Sequence, residues 1–280
     1  MRFAILLLLA GVVGAGDLEE VPETPLRNVE LVDRDGVTTR LAGFYRLSGE
    51  DIFRGFLGEG EIEVPYERVV DVRVSAPAHP AGRMRARFTL RSGNTVEATF
   101  DEREGEQLFS GYASFGRLTI FFRDIRRLRF LGHTNREDLP DYGPPTRGLD
   151  VRLTDREGVT TELIGFRRAV GENMVPGQLG AGSIAIPLRI VQRLAIAAAE
   201  DGANLRATAT LRDGATLEFE LPGHVEETAY RGEAEFGTYR IHLGKTRELV
   251  VHRETPVLRD LAPLEAAEGR EEGPEGRPQR

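Results

Sequence analysis

The chain has no cysteine in its 280 residues, so its candidate reactive groups are imidazole, hydroxyl, amine, guanidinium and carboxylate side chains. Without a thiol there is no disulfide, no zinc-thiolate site, no iron-sulfur cluster and no cysteine nucleophile. The histidines are His79, His133, His224, His242 and His252, and no two have the i, i+4 spacing that sets two imidazoles on one helix face around a metal. His242 and His252 read as residues of neighbouring strands, both alternating away from apolar positions, which gives two exposed rings without a third ligand. A strained serine nucleophile needs Gly-x-Ser-x-Gly between strand and helix. Ser114 in GYASFG and Ser183 in GAGSIAIP come nearest, lack the spacing, and read as strand entries. The segments DRDG at 33–36 and DREG at 155–158 alternate carboxylates as a calcium loop does. Calcium takes about six to eight oxygens, however, and two acids per loop fit a hairpin turn instead. Glycoside hydrolysis asks only for two carboxylates at a set separation, so the 45 Asp and Glu leave that class open without singling out a pair. No metal or cofactor is expected.

The elements that would position these residues recur along the chain. Residues 29–74 align with 151–196 at a constant offset of 122, with 21 identities in 46 positions, including DRDGVTT against DREGVTT. Beyond them the offset is 121, matching Thr89, Leu90 and Arg91 with Thr210, Leu211 and Arg212. A fainter period of 56 residues within the first half relates Phe53, Gly55, Gly60, Ile62 and Val64 to Phe109, Gly111, Gly116, Leu118 and Ile120, and a period of 55 does the same in the second half. Four units follow, 26–76, 84–133, 148–198 and 203–253, each with room for about five short strands. Apolar residues alternate at period two in VELV, VVDVRV and ATLEFEL, and Asp35-Gly36, Glu157-Gly158 and Asp213-Gly214 stand where hairpins would turn. No sustained period of 3.6 marks a helix.

A strand, an acidic-glycine turn, then Phe-x-Gly-x4-Gly-x-Ile-x-Val and a closing strand resemble the repeats of uncharacterised exported bacterial proteins built of tandem small β-barrels of SH3-like or Sm-like type. The resemblance covers residues 29–251, consists of turn glycines and core apolars, and implies a fold without an activity or catalytic residues. A single unit of this size, without disulfide or metal, would be only marginally stable alone, which predicts that neighbours pair. The expected fold is all-β with an internal duplication: four small five-stranded barrel-like units arranged as two paired domains. The first domain is 26–135, the connector 136–147 is rich in proline, glycine and charge, and the second domain is 148–253.

Outside the domains, residues 1–16 read as a signal peptide, with Arg2, an apolar run from Phe3 to Val13, and small residues before a cut after Ala15 or Gly16. That run is short of the roughly 20 residues a membrane span needs, so no transmembrane anchor is expected after cleavage, and the mature chain is expected to be secreted or periplasmic. Segment 17–25 is acidic, and the tail 254–280 has the acidic, apolar-poor composition of disorder. These two segments carry most of the net charge of -8, leaving the body nearly neutral. A neutral body has no electrostatic footprint for nucleic acid.

Two patterns remain as candidate sites. Polar positions shared by the halves are Asp33, Arg34, Thr38, Thr39, Arg46 and Glu50 against Asp155, Arg156, Thr160, Thr161, Arg168 and Glu172, which fit either a duplicated ligand site or turn and strand chemistry. The second is aromatic: 13 Phe and Tyr lie between residues 26 and 135 against 5 between 148 and 253. At positions that alternation places outward, Tyr45 corresponds to Arg167, Phe56 to Gln178, Tyr112 to Glu233 and Phe121 to His242. Exposed aromatics bring much contact area at low entropic cost, so these four are the candidate binding residues, with interdomain packing as the other reading. The expectation is a non-catalytic exported binding or scaffold protein whose partner is an envelope protein or a polysaccharide. The alternative is a carbohydrate-active protein, either a binding module or a carboxylate-based hydrolase.

Overall fold

The computed structural model describes residues 26–58, 60–75, 83–140, 148–198, 205–223, 228–235 and 237–255. The leader, the acidic segment 17–25, connector residues 141–147, the tail beyond 255, His79 and His224 lie outside them.

Alternation and turn glycines produce twenty strands. The first half supplies β1 (Leu26–Asp33), β2 (Thr38–Arg46), β3 (Ile52–Leu57), β4 (Gly60–Pro65), β5 (Val69–Ser75), β6 (Met84–Leu90), β7 (Thr95–Phe100), β8 (Leu108–Ala113), β9 (Gly116–Phe121) and β10 (Ile125–Thr134). The second supplies β11 (Leu149–Asp155), β12 (Thr160–Arg168), β13 (Met174–Leu179), β14 (Gly182–Pro187), β15 (Val191–Ala198), β16 (Leu205–Leu211), β17 (Thr216–Leu221), β18 (Ala229–Ala234), β19 (Gly237–His242) and β20 (Thr246–Glu254). The helices with described bounds are one turn at Glu102–Gly105 and short 3-10 turns. At Gly36, Gly158 and Gly214 the turns place φ at 85°, 88° and 88°, a left-handed conformation that glycine takes without steric cost.

All pairings are antiparallel and join the strands into one sheet. Within the first half the order is β4-β3-β7-β6-β5-β10-β1-β2-β8-β9. The second half repeats it as β14-β13-β17-β16-β15-β20-β11-β12-β18-β19. The halves join through β9 and β14. Each unit does supply five strands, but they do not close on themselves and the sheet is not closed. Hairpin β3–β4 leaves β2 and pairs with β7 of the neighbouring unit, while β2 takes β8 in exchange. The recurring glycine of the Phe-x-Gly motif marks these crossings. A Cβ at Gly55 would stand 2.8 Å from the Thr99 carbonyl oxygen, and one at Gly177 2.3 Å from the Phe219 ring. Only glycine lets the exchanged strand approach so closely.

The sheet buries alternate residues on one face. In the first half that interior is aromatic: Phe53 lies with ring centroids 4.5 Å from Tyr66, 5.3 Å from Phe88, 5.5 Å from Phe122 and 6.2 Å from Phe109, and Phe44, Phe100 and Phe130 extend the cluster. The second-half interior is largely aliphatic, with Val175, Leu188, Leu194 and Leu249 buried around the stacked pair Phe166 and Tyr230.

Candidate binding cleft at the junction of the halves

The shared polar positions turn out to build the frame. Asp33 Oδ1 accepts from the Val37 amide at 2.8 Å, and Asp155 Oδ1 accepts from the Val159 amide at 2.9 Å, so both acids cap their own hairpin turns. Arg34 donates to the carbonyls of Val74, Ser75 and Arg123. Arg46 is buried and donates to Glu104 at 3.1 Å and to the Ile52 carbonyl. Burial lifts the Glu104 carboxyl above its ordinary range, against the pull of Arg46. Burial raises Asp124 likewise, against Arg123.

Asp33 also reaches across the halves. Its Oδ2 accepts from the Ala181 amide at 3.0 Å, in the β13–β14 turn. Gly180 makes this possible, because a Cβ there would stand 2.1 Å from Asp33 Oδ2 and 2.8 Å from Val37. The β1–β2 turn is thereby pressed against the second half beside an open cleft of about 860 Å³. Asp35 and Val37 form one wall, Leu179 and Gly180 another, and the outer face of β15, β16, β17 and β20 forms the floor.

That floor is specific to the second half. It carries Ala195, Ala197 and Thr208, where the corresponding residues of the first half are Arg73, Ser75 and Arg87. Small side chains leave depth where the first half sets Arg73 beside Asp71 and Arg87 against Glu97. Charges of both signs ring the floor: Arg193, Arg206 and Arg247 with Asp35, Glu218, Glu220 and Glu248. Arg193 donates to Glu248. Among the described residues the lining holds one aromatic, Phe219, whose ring is buried in the core, so these residues offer no stacking platform for a sugar ring. Among the described residues its lining has no histidine, serine or tyrosine, and Glu104 and Asp124 lie elsewhere. The arrangement sets side chains of both charges around a floor of small residues.

The four aromatics are dispersed. Tyr45 is 3% exposed: a bulge between Ala42 and Tyr45 breaks the alternation of β2, so Phe44 and Tyr45 are both buried and the outward placement of Tyr45 is corrected. Tyr112 lies on the adjacent strand opposite Ala42 and is half-buried. Phe121 is half-buried at the end of β9 with the Arg123 guanidinium 4.9 Å from its ring centroid. Phe56 is half-buried near the far end of the first half, with Arg83 at 5.4 Å. Most of the aromatic surplus fills the first-half interior, and none of the four lines the cleft. His242 and His252 are also apart, since β19 pairs with β18 whereas β20 pairs with β11 and β15. Ser183 donates to Gln178 Oε1 at 3.5 Å within its hairpin. Among the described residues no three His, Asp or Glu are grouped to hold a metal, and no helix is long and apolar enough to cross a membrane.

The sequence marks Asp35 only as a turn residue and Gln178 only as the counterpart of Phe56, and assigns none of the cleft residues to a site. Their signal was the exchange of arginine for alanine or threonine between the halves, visible only when outward positions are compared for lost bulk. In comparisons with known proteins, no family model, no curated protein and no solved structure matches the chain.

Proposed function

We propose that this chain is a non-catalytic exported binding or scaffold protein of the cell envelope, built of duplicated β domains of paired barrel-like units. Its ligand is an extended segment of a partner protein lying across the cleft between the halves. The observation that carries this reading is the floor of Ala195, Ala197 and Thr208 ringed by arginines and carboxylates, where the first half has Arg73, Ser75 and Arg87. An extended chain suits such a floor, because alternate side chains meet the charged rim while the backbone passes over small residues. The test is binding of the purified protein to arrays of extended peptides and of polysaccharides, beside the variant Ala195→Arg, which installs the residue of the first half. Ala195 is half-buried at the surface, so its replacement leaves thermal stability within about 0.5 kcal/mol. Peptide binding that this variant abolishes is the expected result. Polysaccharide binding lost in the same way supports the carbohydrate alternative, and binding indifferent to the substitution overturns the cleft as the site.

A further inference from the structure

The junction between the halves uses two strands whose sequence counterparts sit at the two ends of the sheet. At the junction Ser183 faces Thr119, Ile184 faces Leu118 and Ala185 faces Arg117. The counterpart of β14 is β4, and that of β9 is β19. Among the described residues β4 pairs only with β3 and β19 only with β18, so both present open edges. Gly116, Leu118, Gly182 and Ile184 are buried at the junction; at the open edges Gly60 and Gly237 are exposed, and Ile62 and Tyr239 are half-buried.

The surroundings of the junction have open counterparts too. Val37, in the turn that packs on Gly180, and Leu179, at the end of β13, line the cleft. Their counterparts, Val159 beside the β19 end and Leu57 beside the β4 end, are 56% and 54% exposed, two of five large hydrophobics so exposed among the described residues. Gly58 repeats the left-handed φ of Gly180, 64° against 54°, yet nothing stands within 4 Å of its Cβ position. Asp155, the counterpart of Asp33, holds its own turn through Oδ1 as Asp33 does.

We infer that a second copy of this chain docks head to tail, β19 of one molecule pairing with β4 of the next in the register of β9 with β14. That register sets Glu61 opposite Arg240, Ile62 opposite Tyr239 and Glu63 opposite Thr238. Opposite charges facing across strands are favourable. Pairing β4 with β4 of another copy would instead set Glu61 against Glu63 twice, and like charges directly opposite are destabilising. Charged edges ordinarily prevent sheets from adding to one another. Here acids stand on one edge and a cation on the other, so the charges forbid self-pairing of β4 and permit the heterologous contact. Such a contact is not self-complementary and propagates into a ring or a filament. The inference stands on the sheet edges and does not depend on the occupant of the cleft.

The test is sedimentation velocity over a concentration series on protein recovered from an exporting cell. A mass ladder is expected from the natural chain and is lost in Glu61→Arg and in Arg240→Glu, while the double variant, which restores opposite charges, recovers it. Because the chain has no cysteine, register can be read by oxidising the double variant Ile62→Cys, Tyr239→Cys, which should cross-link into multimers. A monomer at every concentration overturns the inference. So do dimers cross-linked by Ile62→Cys or Tyr239→Cys alone, which would mean like edges pair, and protected β4 amides in a monomer, which would mean that the chain covers its own edge. Ala195→Arg should leave the ladder intact, which separates failure here from failure of the cleft.

Discussion

The two halves hold one cross-strand ion pair with its polarity reversed. In the first half Asp71 on β5 accepts from Arg127 on β10 at 2.6 Å; in the second, Arg193 on β15 donates to Glu248 on β20. The position therefore selects a pair and is indifferent to which strand carries which sign. What surrounds the pair is not equivalent. Arg73 adds a second cation to Asp71, whereas its counterpart Ala195 leaves the floor of the cleft open. The interiors differ in the same sense: a cluster of rings with a buried Arg46–Glu104 pair on one side, aliphatic packing on the other. One strand order thus tolerates two packing solutions, and the aliphatic half is the one that supplies most of the cleft lining.

Five substitutions test how deep that difference runs. Phe53→Ala removes the centre of the ring cluster and should cost about 3–5 kcal/mol, while Val175→Ala at the corresponding buried position should cost about 2 kcal/mol. Chemical denaturation of both variants checks this, and equal losses would mean that the aromatic interior is no more tightly packed. Next, Glu104→Ala leaves the buried Arg46 guanidinium without its carboxylate and should cost about 3 kcal/mol. Arg168→Ala, at the half-exposed counterpart of Arg46, should cost no more than about 0.5 kcal/mol. Paired thermal melts would expose any similarity between the two. The smallest effect has the opposite sign. The Tyr66 hydroxyl is buried among rings with no hydrogen-bond partner among the described residues, and Leu188 fills its place in the second half. Tyr66→Phe removes a buried polar atom and should raise stability by about 1 kcal/mol. A loss on the same scale would show that the hydroxyl is satisfied.

Strand existence was legible because period-two alternation and acidic-glycine turns are local signals, and VVDVRV and Asp35-Gly36 became β5 and the β1–β2 turn as read. Strand partners were not legible. Hairpin β3–β4 presents the same alternating pattern whether it pairs with β2 or with β7, and only the close approach at Gly55 distinguishes them. Tyr45 escaped for a related reason, since one bulged residue reverses the face of everything beyond it. The cleft escaped because alanine in a strand carries no chemical signature, and depth arises only where a larger counterpart is missing.

The exchange of hairpins governs how this molecule comes into being. Strand β1 is completed by β10, with Arg27 meeting His133 across 106 residues, and β2 waits for β8. Such distant partners make folding slow, because the entropy of closing large loops is lost before the contacts form. A nascent first half therefore holds unpaired edges until β10 has been synthesised. In the exported protein proposed above, that delay would keep the chain open for passage through a channel, and in a crowded compartment the same waiting hairpins would invite exchange between neighbouring molecules.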